Sequence, residues 1–116
     1  MYSTAGDLYR WHRALQEGRV LPDSSLRRLQ GAFVTRAEIT VGYGWFTSPT
    51  PQGTRAVWTR GYEGFGHGAH LAIYPDGHAA IVILSNSGER DGRPVTHRLA
   101  MELERLVFAP SPPSRS

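Results

Sequence analysis

The first thirty residues show the hydrophobic periodicity of two short amphipathic helices. Apolar side chains recur three and four positions apart in the first helix, at Leu8, Trp11 and Leu15. This segment opens on Thr4-x-x-Asp7, a pattern that caps helix N-termini, and Gly18 suits its end. A second helix is predicted from residue 22 to Gly31, with Leu26 and Leu29 on one face.

Beyond residue 33 the pattern changes to that of strands. Residues 41–46 are aromatic and glycine-rich, which predicts a strand that passes close to another backbone. Residues 49–53 form a predicted turn. Residues 54–59 form a second strand with Ala56 and Trp58 on one face.

Two apolar runs, residues 69–74 and 78–84, are joined by Pro75-Asp76-Gly77 and give the clearest hairpin pattern in the chain. The preceding residues 61–68 contain four glycines, so this segment must bend or lie close to a neighbour. Pro94 begins a last helix. Its predicted apolar stripe consists of Val95, Leu99, Leu103 and Leu106.

Helices and strands in separate blocks indicate an α+β fold. We predict an antiparallel sheet of three to four strands, flanked by N-terminal and C-terminal helices. Helices on one face would leave the other face of the sheet bare. The first helix cap also has almost no residues before it. Both observations lead us to expect that part of the fold is missing from this chain.

Composition excludes several mechanisms. The thirteen basic residues are all Arg, and the chain has neither Lys nor Cys. A lysine base, a lysine Schiff base, a thiolate nucleophile, a cysteine-ligated zinc and a disulfide are therefore impossible. The formal charge is +3, but the arginines are dispersed and form no basic stripe. We therefore expect no nucleic-acid partner.

The pattern contains no membrane segment. The longest apolar stretch, residues 79–84, is far too short to cross a bilayer. Asp7 and Arg10 interrupt any apolar run near the N-terminus, so no signal peptide is expected in this chain. The localisation stays open. We expect the chain to be soluble.

Isolated motifs favour structural roles over chemistry. His67 and His70 lie three apart on a predicted strand and should point to opposite faces, so we expect no metal site there. His67 could line a cleft in a complete protein. Ser85, Ser87, Asp91 and His97 lie close in sequence as a Ser-His-Asp triad would need, but they lack a nucleophile-elbow motif, and Ser85-Asn86 indicates a turn. The aromatic residues Tyr43, Trp45 and Trp58 are expected in the core.

Four phrases in order resemble one hydrolase family. They are Ser3-Thr4-Ala5-Gly6-Asp7-Leu8, Tyr43-Gly44-Trp45, Leu71-Ala72-Ile73-Tyr74-Pro75-Asp76-Gly77 and Val82-Ile83-Leu84-Ser85-Asn86. Together they resemble the C-terminal segment of the serine β-lactamase-like hydrolases. That family includes class C type β-lactamases, low-molecular-weight penicillin-binding proteins and related esterases. The resemblance implies that residues 1–108 are the C-terminal part of such a domain. Residues 109–116 are predicted to be a disordered Pro/Ser-rich tail.

The resemblance also implies an acyl-enzyme mechanism whose nucleophile and base are absent here. Family members use a Ser-x-x-Lys motif, a Tyr-x-Asn-like motif, and a Lys/His-x-Gly motif on an edge strand. The first needs a lysine, and Tyr43-Gly44-Trp45 is not the second. Thr59-Arg60-Gly61-Tyr62 matches the position of the third, with Thr59 or Arg60 in place of Lys or His. Arg60 could pair with a carboxylate but would not transfer protons.

Two hypotheses follow. In the first, the chain is a fragment of a β-lactamase-related serine hydrolase and is inactive alone. The complete parent would hydrolyse a small-molecule or peptide substrate without a cofactor: a β-lactam, a D-amino-acid peptide or an ester. A separately encoded N-terminal half could then complete its site. In the second, the chain is a small, non-enzymatic module that binds a ligand or another protein.

Overall fold

The computed structural model describes residues 3–31, 34–63, 66–90 and 92–108, with the side chains of residues 62, 63, 89 and 90 outside the description. Within these residues the chain forms three α-helices, eight strands and one 3₁₀ turn. In order they are α1 (Ala5–Gln16), α2 (Asp23–Leu29), β1 (Val34–Arg36), β2 (Ile39–Val41), β3 (Phe46–Pro49), β4 (Arg55–Glu63), β5 (His67–Tyr74), the 3₁₀ turn (Pro75–Gly77), β6 (Ala79–Ser85), β7 (Glu89–Arg90), β8 (Arg93–Pro94) and α3 (Val95–Val107).

The first six strands form one antiparallel sheet in which each strand pairs with the next along the chain. The α+β class is confirmed, but the prediction of three to four strands is wrong because the sheet has six. The strands that were missed, β1, β2 and β3, have three or four residues each and are too short to show an alternating pattern. Strands β7 and β8 form a separate two-stranded ladder.

The predicted strand at residues 41–46 is wrong, because residues 42–45 form the turn between β2 and β3. The N–H of Gly42 donates a 2.8 Å hydrogen bond to the carbonyl of Trp45, and Gly44 has a φ of 79°. The predicted close approach of another backbone is confirmed at Gly42. A Cβ there would lie 2.5 Å from the carbonyl oxygen of Gly31. Only glycine lets this turn lie against the end of α2.

The predicted β5–β6 hairpin is confirmed. Strands β5 and β6 pair from Gly68 opposite Ser85 to Tyr74 opposite Ala79. The Pro75–Gly77 turn joins them, and His78 completes it in the left-handed conformation with a φ of 50°. The first helix also has its predicted ends. The N–H of Asp7 donates to the Thr4 hydroxyl over 3.1 Å, and Gly18 follows the helix with a φ of 72°.

Helices cover both faces of the sheet, so the expectation of a bare face is wrong. Side chains of β4 and β5 alternate between two apolar clusters. The cluster on the α1 and α2 side contains Leu15, Leu26, Trp45, Val57, Leu71 and Ile73. The cluster on the α3 side contains Ala56, Ala72, Tyr74 and Ile81, with Phe108 packed against it.

Helix α3 does not bury the stripe that its periodicity predicted. Thr96 and Ala100 are the helix residues that are buried against the sheet. Leu106, from the predicted stripe, is 74% exposed. Small residues decide this orientation because they let the helix approach β5 closely. A Cβ at Gly68 would lie 3.0 Å from the methyl group of Thr96. In the part of the chain described here, every helix is too short or too polar to span a bilayer.

Candidate substrate edge on strand β4

Strand β4 has one free edge over its second half. Its first half pairs with β3, and the last paired residues are Trp58 and Phe46. On the opposite side it pairs with β5 through Glu63, which lies opposite His67. Within the described chain, residues 59–63 therefore have a strand partner on one side only. Thr59, Arg60, Gly61 and Tyr62, which the family resemblance aligned with the third motif, all lie in this segment.

The two faces of this edge differ because side chains alternate along a strand. Thr59 and Gly61 continue the face of Val57, which belongs to the α1-side cluster. Arg60 continues the face of Trp58, which packs on the α3 side. The Arg60 guanidinium carbon lies over the Trp58 ring, 5.2 Å from its centroid. The cation of the motif therefore points away from α1, and the Thr59 side chain points toward it.

A cavity of about 290 Å³ lies between α1 and this edge. Leu8 and Trp11 of α1 border one side, and Thr59, Gly61 and Leu71 border the other. A Cβ at Gly61 would have no neighbour within 4 Å, so the edge is open at this point. The arrangement places an open strand edge beside a mostly apolar pocket.

The α3 side of the sheet holds a larger cavity, of about 430 Å³, with two histidines at its border. Across the sheet, Phe46 stacks on Trp58 at 4.6 Å between ring centroids, and Trp58 stacks on His70 at 6.2 Å. The ring of His97 on α3 lies 6.3 Å from that of His70. Among the described residues, neither Nδ1 atom has a hydrogen-bond partner.

Burial keeps these histidines neutral. Loss of solvation lowers the pKa of His70 to about 4, and the neighbouring His97 and Arg60 contribute in the same direction. The pKa of His97 is lowered as well, first by burial and then by Arg60. His70, stacked on the indole of Trp58 and held neutral, therefore does not provide a charged site on this face.

The remaining predicted residues lie around the β4–β5 hairpin. Tyr62 pairs with Gly68 through its backbone, and its side chain lies outside the description, as does that of Glu63. His67 is exposed at the start of β5. His70 is buried with the α3-side groups, so the expected separation of these two histidines onto opposite faces is confirmed.

The described residues contain no assembled catalytic group. None of their serine or threonine hydroxyls hydrogen-bonds to a histidine or a carboxylate. Ser85 accepts from the N–H of Ser87 over 2.9 Å, which is the turn that its sequence predicted. No three His, Asp or Glu side chains of the described part gather as a metal site would require. Asp91 lies outside the described residues.

Sequence reasoning missed the pocket residues. Trp11 and Leu8 were interpreted only as one face of a helix, and their position beside β4 has no local signal. Trp45 is buried and Trp58 is partly buried, as predicted for core aromatics. Tyr43 is 64% exposed, so its predicted core position is wrong.

Comparison with known proteins agrees with the family that the sequence resembles. The structure is similar to that of a penicillin-binding protein from Bacillus halodurans, with a TM-score of 0.76 and 21% sequence identity. The match covers 89% of this chain and 30% of that protein. No curated protein sequence matches the chain. The family model named Beta-lactamase matches residues 1–105. On that match, the chain belongs to the beta-lactamase family.

Proposed function

We propose that this chain is the C-terminal, substrate-docking part of a β-lactamase-related serine hydrolase. The complete parent hydrolyses a β-lactam, a D-amino-acid peptide or an ester through an acyl-enzyme. The observation that carries the proposal is the free edge of β4 at residues 59–63. This is the segment that matches the family's third motif, on the strand edge where family members hold their substrates.

The edge contributes backbone groups rather than a reactive side chain. An extended substrate adds to the open side of β4 as another strand would, through main-chain hydrogen bonds. The backbone N–H groups near Gly61 and Tyr62 are suited to face the carbonyl oxygen as it gains negative charge. Thr59 stands where the family has Lys or His, so it orients the substrate by a hydroxyl hydrogen bond and transfers no proton at neutral pH.

The missing steps belong to chain outside these 116 residues. A serine there attacks the substrate carbonyl, its proton passes through the lysine to the departing amine or alcohol, and water then hydrolyses the acyl-enzyme. Three observations support this division. The sequence has no Lys, and the described hydroxyls have no base as partner. The chain also spans 30% of the penicillin-binding protein that it resembles.

Turnover measurements test the proposal. The purified chain is incubated with a chromogenic cephalosporin and with p-nitrophenyl butyrate, alone and mixed with a separately produced N-terminal half that carries Ser-x-x-Lys. We expect no turnover by the chain alone and measurable turnover by the mixture. Replacement of the Ser-x-x-Lys serine by alanine in the N-terminal half is the matched control and should abolish the turnover by the mixture. Turnover by the chain alone that a serine-directed phosphonate inhibits would overturn the proposal.

The second candidate is a small binding module without catalysis. Apolar packing on both faces of the sheet favours it, because each face already has a helix as partner. A cooperative thermal transition, a monomeric elution profile and no turnover with any N-terminal half would support this module. Aggregation of the isolated chain would favour the fragment.

A further inference from the structure

We infer that the cavity beneath α1 is a subsite for a short, uncharged apolar group, so that the parent hydrolase prefers neutral esters to substrates that carry a carboxylate. This inference rests on the proposed function and names its substrate class. It starts from the position of the cavity. Thr59 and Gly61 belong both to the free edge of β4 and to the cavity wall. A substrate on that edge therefore extends one substituent under α1.

The walls of the cavity favour an apolar group. Leu8, Trp11 and Leu71 contribute aliphatic and aromatic surface. Trp11 is 49% exposed, so this wall still has apolar surface that a ligand would bury. The volume of about 290 Å³ is at the small end of small-molecule sites, which span about 300 to 1,000 Å³. This size fits a short acyl or alkyl group.

The charge distribution disfavours a carboxylate in the same place. Arg60 borders the cavity by its position on β4, but its guanidinium lies over Trp58 on the opposite face. The other described residues that border this cavity carry no charge. Among them, His70 is kept neutral by burial, which lowers its pKa. A carboxylate under α1 would lose hydration without gaining a cation as partner.

Ligand binding by the intact chain tests the inference independently of catalysis. Backbone amide shifts of the ¹⁵N-labelled chain are followed during titration with methyl butyrate, methyl propionate and monomethyl succinate. Methyl butyrate should shift the amides of Thr59, Gly61 and Leu71 saturably. Methyl propionate, one methylene shorter, should bind about fourfold more weakly. Monomethyl succinate replaces the terminal methyl by a carboxylate, and it should bind at least about tenfold more weakly.

Variants locate the subsite and its charge preference. Trp11→Ala should weaken methyl butyrate binding by about fivefold or more. Tyr9→Ala is the matched control, because Tyr9 is an exposed aromatic residue of the same helix that does not border the cavity. Arg60→Gln should leave monomethyl succinate binding unchanged. Thr59→Arg brings a cation to the α1 face and should strengthen monomethyl succinate binding without strengthening that of methyl butyrate. That gain keeps the test decisive even if Trp11→Ala fails to fold.

The opposite pattern would overturn the inference. If monomethyl succinate bound as tightly as methyl butyrate and lost affinity in Arg60→Gln, the guanidinium would serve the substrate carboxylate. Shifts that did not saturate, or that were the same in Trp11→Ala, would show that no subsite lies under α1. Saturable binding of methyl butyrate combined with no turnover in any mixture of halves would retain the subsite and reject the proposed hydrolase.

Discussion

The hydroxyl of Tyr74 donates a 2.7 Å hydrogen bond to the carboxylate of Glu104, and this bond joins strand β5 to helix α3. Tyr74 is 2% exposed, and burial raises its pKa well above the usual range, so its hydroxyl is protonated and can donate at neutral pH. The ring of Phe108 packs on the same tyrosine with 4.7 Å between the ring centroids. This contact holds the C-terminal half of α3 on the sheet.

Tyr74→Phe should destabilise the fold by about 1 to 2 kcal/mol, because it removes a hydrogen bond to a charged acceptor and leaves Glu104 without its donor. The free energy of unfolding from urea titrations measures the change. Tyr9→Phe, at an exposed position on α1, is the control and should stay within about 0.5 kcal/mol. Equal effects of the two substitutions would contradict this role of the Tyr74 hydroxyl.

Gly42→Ala should destabilise the fold by about 3 kcal/mol, because its new methyl group would meet the backbone of Gly31 and Leu29. Backbone atoms at the end of α2 cannot move aside as a flexible side chain can. Gly61→Ala is the matched control, since its Cβ would have no neighbour within 4 Å. Thermal and urea unfolding of both variants provide the measurement. A Gly42→Ala variant as stable as Gly61→Ala would show that the turn does not contact α2.

Stability should fall as the pH is lowered from 7 to 5. The pKa of His70 is about 4 in the folded chain, against an ordinary value of 6.5, so the unfolded chain takes up a proton first. The stabilisation is complete above about pH 6.5 and is lost progressively as the pH approaches 4. The pKa values of His97 and His12 are also lowered, so these two residues likewise reduce the stability of the fold as the pH falls.

The expected loss from His70 between pH 7 and pH 5 is on the order of 1 to 2 kcal/mol in the free energy of unfolding. Urea titrations at the two pH values measure it. His70→Gln keeps a polar side chain but removes the titrating group, so its stability should depend less on pH over this range. An equal dependence in the variant would exclude His70 as the source.

Thr96→Leu should destabilise the fold by about 1 to 3 kcal/mol, because Thr96 is 1% exposed where α3 meets Gly68 of β5. Leu106→Ala should change stability by less than about 0.5 kcal/mol, since Leu106 is 74% exposed. Chemical denaturation of the two variants tests the orientation of α3. A larger loss of stability in Leu106→Ala than in the other variant would show that the stripe predicted from helical periodicity is buried after all.

Features that depend on neighbours along the chain were predictable. The Thr4–Asp7 cap and the Pro75–Gly77 turn each form within a few residues, so their residue types specify them. The turn at Gly42 was misread as a strand because its aromatic residues are typical of strands, and only the carbonyl of Gly31 shows why glycine is needed there. Local propensity cannot reveal a contact with the end of another helix.

The candidate site likewise combines features that the sequence implied with features that depend on tertiary contacts. The sequence pattern predicted a strand only to residue 59 and a bend over residues 61–68, whereas β4 continues to Glu63. The position of Thr59-Arg60-Gly61-Tyr62 on an edge strand was implied by the family resemblance alone. The lack of lysine is enough by itself to exclude the family's base from this chain. The cavity under Trp11 was not predictable, because α1 and β4 are separated by about forty residues of chain. The meeting of His70 and His97 likewise depends on how α3 docks.

By itself, the sequence determined the chemistry that this chain cannot perform, the caps and turns that bound its elements, and its family. Only the tertiary structure decided that the sheet has six strands covered on both faces, that Thr59 faces α1 while Arg60 faces Trp58, and that a cavity adjoins the open edge. The physical reason is the distance along the chain over which the interactions act. Capping and turn formation depend on interactions across a few residues, whereas strand pairing and helix docking depend on burial between segments far apart in the chain.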